Sequence, residues 1–284
     1  MTTDIDPATL RPTAARFAIS APAMIYGHDI VENAEILADM VENIEIVLFH
    51  TPTQNNFLSR ADVRQLSHIA NRCQVTYTVH LPDSLEIASA SAAKRAESVR
   101  RTLELIAATE EIRPQHFILH VPFTPPTLVP VPGSYLTSIP QPRWQDWLKR
   151  AAESLSTIVE HRGPSAPLLV ENINYSLSFL EPLVQSGLCN ICLDIGHLLL
   201  GQEGVRGAMK RYRSHIQEIH IHGIKDDCDH HSLALLPQDR FSRWMEHIIG
   251  MGYEGIFNLE VFSPRDLAVS LALLARTLAT RLRG

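Results

Sequence analysis

The chain has 284 residues, with 25 basic and 31 acidic side chains and a formal charge of −6. At 45% hydrophobic and 20% charged it carries enough apolar material for a large core, which excludes disorder, collagen and coiled coil as dominant states. Mild acidity argues against a protein held to nucleic acid by bulk charge, and no run of 18 apolar residues suggests a membrane span.

The polar segment 1–15 reads as an N-terminal extension without the apolar stretch of a secretory signal, so the expected location is the cytoplasm. Short apolar, β-branched runs then recur: Arg16 to Ser20, Ile44 to Phe49, Val75 to Leu81, His116 to Val121, Pro167 to Ile173, Asn190 to Ile195, Gln217 to His222 and Gly255 to Phe262. Each has the length of a buried strand. Between them, 3.6-residue periodicity predicts helices. Asp29 to Met40 puts Ile30, Val31, Ala34, Leu37 and Ala38 on one face, and Ser59 to Asn71 opens on a capping serine. Helices are also expected over Glu86 to Glu111, Arg143 to His161, Ser176 to Ser186, Gly204 to Tyr212, Gln238 to Ile249 and Pro264 to Arg283. Eight strands alternating with eight helices predict an α/β fold, a single (β/α)8 TIM barrel over 1–284. An open doubly wound sheet is the alternative, but Ser20 to Gly27 lacks its glycine-rich first turn. Residues 122–142 break the rhythm with seven of the 18 prolines. Following the fourth strand, they read as a spacer or a wall over the catalytic face.

The four cysteines are too few for a disulfide scaffold, and the C-x-x-C of Cys189 and Cys192 runs into an apolar strand, so these read as buried thiols. The fourteen histidines are more informative. His80 and His120 end strands three and four, and Glu171 lies near the end of strand five. Asp194 and His197 close strand six, His220 and His222 share one side of strand seven, Asp229, His230 and His231 fall in the loop after it, and Glu260 is near the end of strand eight. In a barrel these positions converge over one rim. A single strand-end histidine can be a satisfied structural residue. Carboxylates such as Glu171 and Glu260 in apolar runs are harder to explain, because burial without a partner costs several kcal/mol. Strands five, six and eight contain no lysine or arginine to offset them, and divalent metals would. Imidazole with carboxylate suits zinc, with manganese or iron as alternatives. So many donors suggest two or three ions bridged by carboxylates, Glu171 being the central bridge, a combination that favours hydrolysis at phosphorus. Glu260 is a candidate for proton transfer. His50, at the end of strand two, is a candidate substrate contact. His28, His68, His116, His161, His215 and His247 read as ordinary.

The series His80, His120, Glu171, Asp194, His197, His220, Asp229, His230 and Glu260 resembles the metal ligands of the endonuclease IV and xylose isomerase-like barrel superfamily. LDIGH is similar to its D-x-x-H element and DHHSL to its D-x-H loop. The resemblance implies one to three metals, usually zinc, with His220 as ligand and His222 facing the substrate. Strict D-x-H spacing favours His231, whereas aligning the HHSL run favours His230. A narrower resemblance lies in NIEIVLFH, TYTVHLPDSL, FILHVPF and IHIHGIKDDCDHHSL, which look like the cobamide-remodelling phosphodiesterase (CbiR-type) branch. It implies cleavage of a phosphodiester in the nucleotide loop of a cobamide, with Tyr175, Lys225 and His222 lining a mouth for the corrinoid and Glu171, Glu260 and His222 acting catalytically. The neutral segment TPTQNNFLSR after strand two counts against DNA. A sugar isomerase or epimerase, or a non-catalytic corrinoid-binding module, are the competing expectations.

Overall fold

The structure, a computed structural model, describes residues 16–27, 29–123, 141–163, 166–226 and 228–281. The extension 1–15, His28 and most of the proline-rich stretch 122–142 lie outside the described residues. In chain order the strands are β1 (Ala18–Pro22), β2 (Asn43–Val47), β3 (Thr76–His80), β4 (Phe117–Leu119), β5 (Leu168–Glu171), β6 (Asn190–Asp194), β7 (Ile216–Ile221), β8 (Gly223–Lys225), β9 (Cys228–His231) and β10 (Ile256–Leu259). The helices are α1 (Ile30–Leu37), α2 (Arg60–Cys73), α3 (Ala92–Thr109), α4 (Gln141–His161), α5 (Glu181–Gln185), α6 (Ile195–Leu200), α7 (Val205–Tyr212), α8 (Gln238–Gly250) and α9 (Pro264–Arg281). Strands β1 to β7 close through β10 into a parallel barrel, in the order β1-β10-β7-β6-β5-β4-β3-β2. All eight strands expected from the sequence are therefore the staves of a TIM barrel.

Local chemistry explains the helix starts. Asp29 accepts from the Glu32 N–H at 2.8 Å, and Ser59 with Asp62 forms a reciprocal capping box on α2. Each helix turns an apolar stripe inward; in α9 it is Leu267, Leu271, Leu274 and Leu278, all with at most 1% exposure. Burying one such leucine contributes about 1.5–3 kcal/mol. Among the described residues no helix is long and apolar enough to cross a membrane.

Four expectations need correction. Helix α3 begins at Ala92, capped by Ser91, rather than at Glu86, because the Glu86 N–H is taken by the Ser98 hydroxyl at 2.9 Å while Leu85 and Ile87 are buried. Ser176 to Ser186 divides into a 3-10 turn and the short α5. Residues Ile195–Leu200 form a helix, α6, that periodicity did not show. Asp229, His230 and His231 lie in β9 of the antiparallel β8–β9 hairpin rather than in a loop.

The barrel interior is unusual for this architecture, whose layers are usually branched aliphatics. One side is apolar, with Ile118, Leu169 and Cys192 packed as a separate buried cluster. The other is polar. Ser20 and Thr78 hydroxyls donate to Asn43 Oδ1 at 2.8 and 3.2 Å, and Glu45, Glu218, His220 and Asn258 have no exposed surface.

Candidate metal centre at the barrel rim

Glu171 is the last residue of β5 and is 1% exposed. Its Oε2 lies 3.2 Å from His80 Nε2, 3.2 Å from His120 Nε2 and 3.7 Å from His220 Nδ1. Its Oε1 lies 3.6 Å from His197 Nδ1. One carboxylate thus faces four imidazoles, three from the ends of β3, β4 and β7 and one, His197, from the first turn of α6. Around it, Glu260 Oε2 is 3.3 Å from His220 Nδ1 and 3.4 Å from His230 Nε2, while Asp229 contacts His230 at 2.9 Å and His197 at 3.5 Å. Single donor atoms of Glu171, Asp194, His220 and Glu260 all fall within 4.8 Å of one another.

The D-x-x-H element has a local explanation. Asp194 ends β6 and caps α6, its Oδ1 accepting the His197 N–H. Asn172 fixes the same corner: its amide donates to the Asp194 carbonyl at 2.9 Å, and its backbone carbonyl accepts from His197 Nδ1 at 2.9 Å. His222 lies beneath, packed against Gly196; an added Cβ at that glycine would meet His222 Cε1 at 1.9 Å. The His230 N–H donates to His222 Nδ1 at 3.1 Å, and His222 Nε2 lies 3.2 Å from Asp194 Oδ2.

The hairpin sets the two neighbouring histidines differently. Strand alternation would put Asp229 and His231 on one face. His230, however, has φ +60°, a left-handed conformation that breaks the alternation. Its ring therefore joins Asp229 and Glu260, whereas His231 makes no ion pair among the described residues. Strain of this kind collects at functional sites.

Electrostatically the surrounding histidines favour the ionised forms of Glu171, Glu260 and Asp229. Burial works to raise Glu171 and Glu260, but His220 with His120, and His220 with His230, outweigh it and hold both well below the usual carboxylate range. Hydrogen bonds from His197 and His230 hold Asp229 low. Burial opposes charge on His197 and His230, yet Asp194 and Asp229 lift the first to about 9, and Glu260 and Asp229 lift the second to about 11.

A divalent metal fits this donor set. His80 Nδ1 is 2.9 Å from the Leu81 carbonyl, His120 Nδ1 is 3.0 Å from Asp83, and His220 Nε2 is 2.9 Å from Glu45. With the outer nitrogen donating, the inner lone pair faces the carboxylates, the arrangement found around metal-ligating histidines. Two close pairs, His220 Nδ1 with Glu260 Oε2 and His222 Nε2 with Asp194 Oδ2, lack hydrogen-bond geometry although all four atoms are buried. Atoms that approach without bonding to each other, as in the His220–Glu260 pair, suit donors aimed at a shared third body. The Cys192 thiol lies beside Glu171 and His220, and burial pushes it well up in the metal-free protein.

The other expected site residues divide. Tyr175 does not line a mouth: it has no exposed surface, donates to the Val121 carbonyl at 2.9 Å and packs on Trp147, because its phenol is needed to satisfy a buried carbonyl. His50 stacks on Phe57, with ring centroids 5.8 Å apart, and makes no ion pair with the cluster. Lys225 is exposed on the hairpin. His222 is fully buried and reaches the rim through Asp194. His116, read as ordinary, contacts Glu218 at 3.4 Å inside the barrel. Sequence reasoning missed Asp83, Asn172, Glu45 and Glu218. The signal that singled out Glu171, a carboxylate in an apolar run, was equally present at Glu45 in IEIVLF and at Glu218 in QEIHIH.

A cavity of about 500 Å³ lies at the other end of the barrel, lined in part by His116, Arg213, Gln217 and Tyr253, and is separate from this rim. Several solved structures share the fold. A D-tagatose 3-epimerase-like protein matches with TM-score 0.73 at 20% identity over 93% of this chain and 98% of its own. An L-ribulose 3-epimerase matches with TM-score 0.68 at 17% identity over 94% and 96%. A 3-keto-D-glucoside 4-epimerase from E. coli matches with TM-score 0.68 at 14% identity over 93% and 99%. No curated protein sequence matches the chain. The model of one protein family matches residues 34–279, and with its strand order and rim this chain belongs to the xylose isomerase-like TIM barrel family.

Proposed function

We propose that this chain is a divalent-metal phosphodiesterase acting on the nucleotide loop of a corrinoid. The observation that carries the reading is Glu171, one carboxylate shared among His80, His120, His197 and His220. His80 and His120 with Glu171 would hold one ion. Glu171, Asp194, His220 and Glu260 would hold a second, and His197, Asp229 and His230 a third. Bound divalent ions supply an activated water and neutralise charge on phosphoryl oxygens. The chain's own part is orientation. Asp83, Glu45, Asn172 and the Leu81 carbonyl fix the imidazoles, and Asp194 is held by the Asn172 amide and by the His197 N–H at the cap of α6. Glu260, 7% exposed and the first residue after β10, would accept or return a proton at the reacting group. The corrinoid as substrate is supported by the sequence resemblance around the ligands.

A second reading, a keto-sugar epimerase, is favoured by the tetrad of Glu171, Asp194, His220 and Glu260 and by sugar epimerases among the similar solved structures, such as the L-ribulose 3-epimerase. There one ion suffices, and a glutamate moves the proton beside a carbonyl. That chemistry leaves His80 and His120 without a part, which is why hydrolysis leads. Zinc- or manganese-loaded protein should be incubated with adenosylcobalamin and, separately, with a ketose panel, and the products weighed and resolved by chromatography. Phosphodiester cleavage that stops with a chelator supports the first reading. Ketose epimerisation with an intact cobamide overturns it in favour of the second. Corrinoid binding without turnover, unaffected by chelator, would point to a binding module and sink both.

A further inference from the structure

Glu45 lies on β2, in the middle of an apolar run, and has no exposed surface. Its Oε2 is 2.9 Å from His220 Nε2, and the Asn258 amide donates to the same oxygen at 2.6 Å. Its Oε1 has no hydrogen-bond partner. Above, His220 Nδ1 faces Glu260 at 3.3 Å and Glu171 at 3.7 Å and has no hydrogen bond of its own.

We propose that Glu45, clamped by Asn258, is a positioning residue that sets the His220 ring so that Nδ1 is presented to the metal. This rests on the reading of His220 as a ligand. A neutral imidazole carries one proton, and the nitrogen that keeps it cannot ligate. An acceptor at Nε2 draws the proton there and frees Nδ1. Without it the proton is free to sit on Nδ1, which faces the carboxylates of Glu260 and Glu171, and the lone pair is then lost from the rim. Glu45 is suited to the task whether or not its carboxyl is ionised, since Oε1 is free to hold a proton while Oε2 accepts. Asn258 prevents that oxygen from turning away. Glu218 Oε1, at 3.6 Å from His220 Nε2, makes no hydrogen bond to it, and the other Glu218 oxygen lies 3.4 Å from His116.

The test is zinc affinity, measured by competition with a chromophoric chelator on metal-free protein, with circular dichroism and thermal melts to confirm folding. Glu45→Leu should weaken zinc binding about 10–100-fold, the range typical for loss of a ligand's supporting carboxylate. Glu45→Gln, whose side-chain carbonyl accepts the same two donors, should remain close to wild type. A purely structural role would lower the melting temperature of the metal-free protein and leave the zinc affinity of the folded fraction unchanged. Folded Glu45→Leu that binds zinc like wild type would overturn the proposal, as would Glu45→Gln weakened to the same extent. If Glu45→Leu does not fold, Asn258→Ala decides: weakened zinc binding supports the clamp, and unchanged binding refutes it. Wild-type protein that binds no zinc would sink the metal-site reading itself.

Discussion

Gly196 offers the most direct test of how rigidly the rim is built. It sits at the start of α6, two residues after Asp194, with the fully buried His222 ring against it. A Cβ there would lie 1.9 Å from Cε1, 2.3 Å from Nε2 and 2.5 Å from Nδ1 of His222. Ordinary contact begins near 3.4 Å, so the ring would have to retreat by about 1.5 Å. It has nowhere to go, with His230 4.6 Å away centroid to centroid and His197 5.7 Å away. Gly196→Ala should therefore cost about 1–3 kcal/mol, the range for overpacking a close-packed core. At roughly 2–4 °C per kcal/mol the melting temperature should fall by several degrees. Activity should fall further, because shifting catalytic groups by about 1 Å costs on the order of a hundredfold. Gly207→Ala on α7, where an added Cβ meets nothing within 4 Å, is the control and should be neutral or stabilising by about 0.5–1 kcal/mol. Thermal melts and turnover of the two variants check this. A Gly196→Ala protein with wild-type melting and wild-type turnover would refute the argument that His222 is pinned behind Asp194.

Glu171→Gln removes the shared charge while keeping the shape, so turnover should be abolished with the barrel's circular dichroism intact; persisting phosphodiesterase activity would refute the bridging role. In chelated protein, His197 and His230 lie above their unfolded value, so the stabilisation they give is complete below about pH 6.5 and is lost as pH rises through about 9 and about 11. The melting temperature of metal-free protein should accordingly drop between about pH 7 and about pH 9.5, and a flat profile would contradict the charged cluster. Thiol labelling of native protein should modify Cys228 first and leave Cys189 untouched, because Cys228 is exposed whereas burial pushes the Cys189 thiol up to about 12. Rapid labelling of Cys189 would show that its strand is not packed as described.

The sequence by itself determined the barrel and the carriers of the rim chemistry. Alternation of eight short apolar runs with amphipathic stretches leaves few ways to bury both kinds of face, and the closed parallel order follows. Because strands of such a barrel run in one direction, a polar residue at a strand end reaches the rim whatever its distance along the chain. This is why Glu171, Asp194, His220 and Glu260 were legible before any contact was known. Tertiary structure decided what periodicity cannot express. The φ of +60° at His230 turned its ring toward Asp229 and Glu260, which motif spacing alone left open between His230 and His231. Hydrogen bonding drew Tyr175 into the core. Glu45 came to lie under His220 because a two-residue period says which face a side chain takes but not what stands across the barrel from it, whereas Glu218, two residues before His220 on β7, shares its face by that same period. Side-chain direction and partner are properties of the closed barrel, and only its closure brings β2 within reach of β7.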